Sequence, residues 1–396
     1  MILDEKIEDK IEKYLKNGED SYVVLIGLVS PDHCHVITNV AKIKEPEMES
    51  NSKMDSNWLS EYAYQFNLRL PGGFAILGFG IVTKNNSLKK DDCLTKSIQK
   101  YYKRLPKFEK LFIKENLVTV IFENSQILGK IINGTIGSKI NENIKYEKVS
   151  LCTVKCPINF TRDFYVSKGV TFFEKCSEEF DELTTILLSN TTFLKNSKIG
   201  DLNERVKNNS TVYLFLSDYH NKDQIIKNGM FLHHMILNID MNLECKVYHS
   251  ETFETAILGL KLSLLRSIFA RLDLYSVSIE LVTSIPEDSV QYHQLPKMIT
   301  LSNNSGECLI DYAEDNEGIL EIVNEIKLLL GEYSLDKTII ESDKERFLED
   351  SEIDSMNDMI TKNTLPVSSM NNNLLFLTFF VIFIAILLYP LYKYLL

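Results

Sequence analysis

The sequence predicts an α/β (α+β) protein: two folded units, a flexible acidic tether and one membrane-spanning helix. Three observations predict it. Apolar strand-like runs alternate with amphipathic stretches from the start of the chain to Ile158. A second, shorter alternation starts near Thr211 and closes at Gly331. An uncharged apolar run stands near the end of the chain, from Leu374 to Tyr392.

Residues 4–16 alternate charges with Ile7, Ile11 and Leu15, an i, i+4, i+8 stripe that predicts a short amphipathic helix. Ser21 to Ser30 and Cys34 to Ile43 read as strands, joined by a turn at Ser30-Pro31-Asp32. Lys44 to Met54 is a polar loop. Trp58 to Leu70 is predicted helical, with Ser56 or Asn57 as its N-cap and Pro71-Gly72-Gly73 as its stop. Phe74 to Thr83 is an apolar strand and Asp91 to Leu105 a helix. Leu117–Glu123 and Ile127–Asn133 read as paired strands, Tyr146–Ile158 as another, and Glu174–Leu188 as a helix. With the polar connector that follows, this gives a first unit over residues 1–200.

The second unit, 210–331, is predicted to hold strands Val212–Leu216, Met235–Ile239 and Leu243–Tyr248. A long helix follows, about Thr252 to Leu274, with Leu260, Leu264 and Ile268 on one stripe and Ser250 as N-cap. Strands Lys297–Leu301 and Glu307–Tyr312 precede a last helix, Glu317–Leu330, ended by Gly331.

Residues 332–373 read as a disordered tether, since Glu332 to Met359 holds ten acidic residues against three basic. The run 374–392 has the length and the lack of charge that a bilayer-crossing helix needs, roughly 20 residues at about 1.5 Å each. The acidic start of the chain has no apolar core of a signal peptide. Together these predict a tail-anchored protein of the endoplasmic reticulum membrane, single-pass, with residues 1–370 in the cytosol.

Composition and motifs exclude several functions. A net charge of −12 argues against nucleic acid as a partner. Phosphate-binding Gly-rich loops, Gly-x-Ser-x-Gly and His-Glu-x-x-His are absent. The seven cysteines are spread over the chain and are expected as free thiols. His33 and His35 sit two apart on a strand, on one face, as a metal pair would. JAMM metalloproteases add Ser and Asp eight and eleven positions after the second His; Ile43 and Pro46 stand there. No catalytic, cofactor-binding or metal residue is assigned, and no cofactor is expected.

At Trp58-Leu-Ser-Glu61-Tyr-Ala-Tyr-Gln65, running into Leu70-Pro71-Gly72-Gly73-Phe-Ala-Ile-Leu77-Gly78, the chain resembles the odorant-response-abnormal-four homologue family. A second match comes at Leu295-Pro296 and Gly306-x-x-x-x-Asp311-Tyr312, before an acidic run. The resemblance implies a non-enzymatic, tail-anchored protein of the endoplasmic reticulum. It implies that multispanning receptors, notably olfactory G-protein-coupled receptors, are its clients. It also implies a ubiquitin-fold-modifier-specific cysteine protease as partner, in a heterodimer. The N-terminal half is then an MPN-like domain without its hydrolytic apparatus, because Lys84-Asn85-Asn86-Ser87 replaces the expected histidine segment. The rival expectation is a membrane-tethered, metal-dependent hydrolase of MPN type using His33 and His35. The Leu-Pro-Gly-Gly turn reads as structural, with Pro ending the helix and the glycines admitting positive φ.

Overall fold

The structure is a computed structural model. It describes residues 1–16, 20–29, 35–44, 55–84, 88–113, 115–123, 126–167, 171–215, 231–249, 251–281, 291–302, 308–313, 318, 321–324, 326 and 339–341. The expected span 374–392, most of the tether, and the proposed N-cap Ser250 lie outside these residues. Among the described residues no helix is long and apolar enough to cross a membrane.

Strand Ile2–Asp4 (β1) precedes helix Lys6–Lys16 (α1), which buries Ile7 and Ile11 as its stripe predicts. Strands Ser21–Val29 (β2) and His35–Lys42 (β3) form an antiparallel pair. Helix Ser56–Leu68 (α2) follows. Its N-cap is Asp55, not Ser56 or Asn57: the carboxylate accepts from the backbone N–H groups of Asn57 at 3.0 Å and Trp58 at 2.9 Å. Strand Ala75–Thr83 (β4) is buried along its whole length. Helices Leu88–Arg104 (α3) and Lys107–Ile113 (α4) then cross over to the parallel strand Asn116–Glu123 (β5). Gln126–Asn133 (β6), Lys139–Glu142 (β7) and Lys145–Glu147 (β8) complete an eight-stranded mixed sheet, in the order β7-β6-β5-β4-β2-β3-β1-β8. β7 and β8 stand at opposite ends of that order, yet two residues join them. The sheet therefore curls until its ends meet, and Ile144 at the seam lies beside Gly129 of β6.

The second sheet begins earlier in the chain than the boundary near residue 200 suggests. Leu151–Ser167 (β9), helix Phe172–Ser189 (α5), and the short strands Phe193–Lys195 (β10) and Lys198–Ile199 (β11) all belong to it. Ser210–Leu214 (β12), Phe231–Tyr248 (β13) and Gln291–Gln294 (β14) give the order β11-β10-β12-β9-β13-β14. The two strands expected at 235–239 and 243–248 are one continuous strand. Its period of two explains this. Ile239, Met241, Leu243, Cys245 and Val247 are buried while Asn242 and Glu244 face out. β9 matches it residue for residue from Leu151 to Val166. Helix Phe253–Leu281 (α6) packs on β13 and on α5.

Lys297–Ser302 (β15), Cys308–Ala313 (β16) and Ile339–Glu341 (β17) form a third, antiparallel sheet. β17 corrects the expectation of a wholly unstructured tether from 332. Ile339 and Ile340 interrupt the acidic run with β-branched side chains, and they pair with Ser302 and Leu301. Residues 321–324 and 326 are helical, within the helix expected at 317–330. The apolar side chains of the three sheets form one continuous core.

Candidate functional site: the joint beneath the Leu-Pro-Gly-Gly turn

The two sequence blocks that carry the family resemblance are far apart in the chain and meet in the fold. α2 ends at Leu68, and Arg69 closes it with its N–H on the Phe66 carbonyl. The turn Leu70-Pro-Gly-Gly73 then lies flat against β13 and α6. Lys246 N–H donates to the Gly72 carbonyl at 3.0 Å, and Gly72 makes a parallel bridge with Cys245. Gly73 has φ +85°, and a Cβ there would come within 2.0 Å of the Lys246 carbonyl oxygen. Only glycine combines that conformation with that approach. Gly259 of α6 completes the close packing from the other side: a Cβ there would meet the Cys245 sulfur at 2.4 Å.

Under this turn lies a buried ion pair. Arg266 of α6 is 1% exposed and Glu109 of α4 is fully buried. The guanidinium grips the carboxylate bidentately: Nε donates to Oε1, and Nη2 donates to Oε2 at 2.8 Å. Its third nitrogen, Nη1, donates to the Phe74 carbonyl at 2.7 Å, just past the turn. Burial alone would lower the guanidinium's pKa, but the Glu109 carboxylate outweighs it and holds Arg266 raised. Arg69 reaches the other way, with Nε on Asp311 Oδ2 at 3.2 Å and its carbonyl accepting from Ile310 N–H at 2.8 Å. Asp311 belongs to the second sequence block. Arg271, one turn beyond Ser267 on α6, lies over the Tyr312 ring at 5.4 Å. One turn of chain thus fastens all three sheets, which agrees with a structural reading of Leu-Pro-Gly-Gly.

Sequence reasoning missed Arg266 and Glu109. The signal was present: each is a charge set inside an otherwise apolar helical stripe, where a lone charge is too costly to bury. What the sequence hides is that the two are partners.

The geometry gives the histidine pair little to work with. His35 is buried, and its Nε2 donates to the Asn116 carbonyl at 2.9 Å, so that nitrogen is engaged in the sheet. His33 lies outside the described residues. His233 and His234 are strand residues of β13, in register with Gln291 and Tyr292. Among the described residues no three His, Cys, Asp or Glu side chains gather as a metal set. The six described cysteines are free thiols, as expected. Burial pushes the thiols of Cys176 and Cys245 up to about 12 and that of Cys156 to about 11, so none of these three is poised as a nucleophile.

Comparison with known proteins agrees with the blocks that meet at the joint. Odorant response abnormal protein 4 of Caenorhabditis elegans is 24% identical over 347 residues, covering 76% of this chain and 71% of that protein. Among solved structures, the crystal structure of UfSP from C. elegans aligns with a TM-score of 0.44 at 9% identity, over 83% of this chain and 56% of that one. A solution structure of a Salinibacter ruber protein aligns with a TM-score of 0.22 at 13% identity, over 37% of this chain and 92% of that one. Both scores lie below the level at which a common fold follows. The profile of the Odorant response abnormal 4-like family matches residues 16–342, which take in the turn, its buried ion pair and every strand except β1, and the chain belongs to that family.

Proposed function

We propose that the protein is a tail-anchored adaptor of the endoplasmic reticulum membrane that helps multispanning receptors, of the olfactory G-protein-coupled type, to fold and leave for the cell surface. It acts by binding. Its first sheet with flanking helices is a degenerate, MPN-like module that recruits a ubiquitin-fold-modifier-specific cysteine protease. The observation that carries this reading is family membership over 16–342, shared with a protein named for an abnormal odorant response. The uncharged run 374–392 supports the anchor. The buried ion pair, the raised thiols and the engaged His35 support a structural rather than a catalytic use of these ionisable side chains.

The test is a mild-detergent pull-down of the full chain beside a copy lacking residues 371–396, read by mass spectrometry. The modifier protease is expected with both forms, and immature receptors with the anchored form alone. Recovery of neither sinks the adaptor reading.

A further inference from the structure

α5 and α6 lie side by side and leave an apolar groove of about 110 Å³ on the outside of the molecule. Phe173, Cys176 and Phe180 form one wall, Phe269, Leu272 and Asp273 the other. On each helix these residues follow the i, i+3, i+4, i+7 spacing of one face, so the groove runs about two turns, roughly 10 Å, along the pair. Its floor is rigid. The Phe180 and Phe269 rings pack edge-on at 5.4 Å, and Phe108 backs both, at 5.5 and 5.9 Å. At its mouth, among the described residues, Phe173 is 55% exposed.

One acid, Asp273, lines this apolar slot, and the α5 helix beside it is rich in acids. α5 carries Glu174, Glu178, Glu179, Asp181 and Glu182 against Lys175 alone. Lys175 is already committed to Glu179 at 2.9 Å and Glu178 at 3.7 Å. Among the described residues Asp181 and Asp273 have no ion pair. Desolvation raises the Asp273 carboxyl, and an incoming cation would offset that desolvation. An apolar groove lined by the carboxylate of Asp273, which has no ion pair among the described residues, selects its occupant by charge.

We infer that the α5–α6 groove docks a short amphipathic helix of a partner protein, one that sets a lysine or arginine a turn away from a large apolar side chain. The apolar side chain fills the slot beside Phe173, and the base meets Asp273. This goes beyond the adaptor reading, and it holds or fails whichever clients the adaptor serves.

The test uses the full chain in lipid nanodiscs as bait for a displayed library of helical peptides about four turns long. Enriched sequences are expected to place Lys or Arg one turn from Phe, Leu or Met. The best peptide, remade synthetically, is expected to bind Asp273→Lys about fivefold more weakly, and to recover when its own base becomes Glu. Phe173→Asp is expected to abolish binding. Both side chains are exposed, so unchanged melting temperatures of the two variants mark the loss as local. The proposal is overturned by no enrichment over the Phe173→Asp bait, by enrichment of acidic or uncharged peptides, or by an affinity indifferent to Asp273.

Discussion

Arg266 and Asp273 sit two turns apart on the same stripe of α6 and meet opposite ends. Arg266 is sealed inside the joint, where a carboxylate and a backbone carbonyl satisfy all three of its nitrogens. Asp273 stands at the edge of a groove with no cation of its own among the described residues. The helix that fastens the molecule together thus changes use along its length. Its inner turns are finished by this chain, and its outer turn is left for another. A buried charge costs several kcal/mol unless it is paired, whereas a rim charge is free to wait for a partner.

The comparison breaks most decisively at the joint. Arg266→Met leaves Glu109 buried and uncompensated, and is expected to destabilise the fold by about 3–5 kcal/mol, read from the urea midpoint. Adding Glu109→Leu is expected to recover most of that loss, because two apolar residues pack where two charges stood. A double variant no better than the single would mean that the carbonyl contact at Phe74, not the pair, carries the joint. Gly73→Ala comes next. It forces a side chain into positive φ and against the Lys246 oxygen, at a cost of about 1–3 kcal/mol. Its thermal midpoint should fall, while the neighbouring Phe74→Leu changes little. Asp273→Asn gives the smallest effect, within about 0.5 kcal/mol in stability. A larger shift there would show that Asp273 is part of the fold rather than of a surface.

Local order was readable in the sequence to the extent that it was written in local periodicity. The α1 stripe, the five apolar strands β2 to β6 and the glycine stop after α2 follow from spacing, whereas the short strands β1 and β7 have no such signal, and the run expected as one strand at 146–158 is split between β8 and β9 of two different sheets. β13 reads as two strands because the polar Asp240-Met-Asn242 stretch interrupts the apolar run, whereas Asn242 is an outward residue of an unbroken strand. The division between the sheets was misplaced because β9 continues the apolar rhythm of the strands before it, and only its pairing with β13 assigns it to the second sheet. β17 was hidden in an acidic run by two isoleucines. The joint was half visible. Leu-Pro-Gly-Gly announced a turn of special backbone, but the pair beneath it joins residues 157 positions apart, and no local pattern encodes a pairing at that distance.

That separation has a consequence for how the protein is made. Glu109 leaves the ribosome 157 residues before Arg266, a wait of roughly 10–30 s at typical synthesis rates. The curled first sheet needs nothing beyond Glu147 for its strands, so it can close while its seat for α6 is still open. During that interval Glu109 must stay hydrated, and the surface meant for the turn and α6 stays loose. The molecule therefore carries its own clock. A chain truncated before Arg266 leaves the Glu109 carboxylate in water beside an open apolar seat for α6, and so stands out, to any chaperone that samples exposed cores, as unfinished.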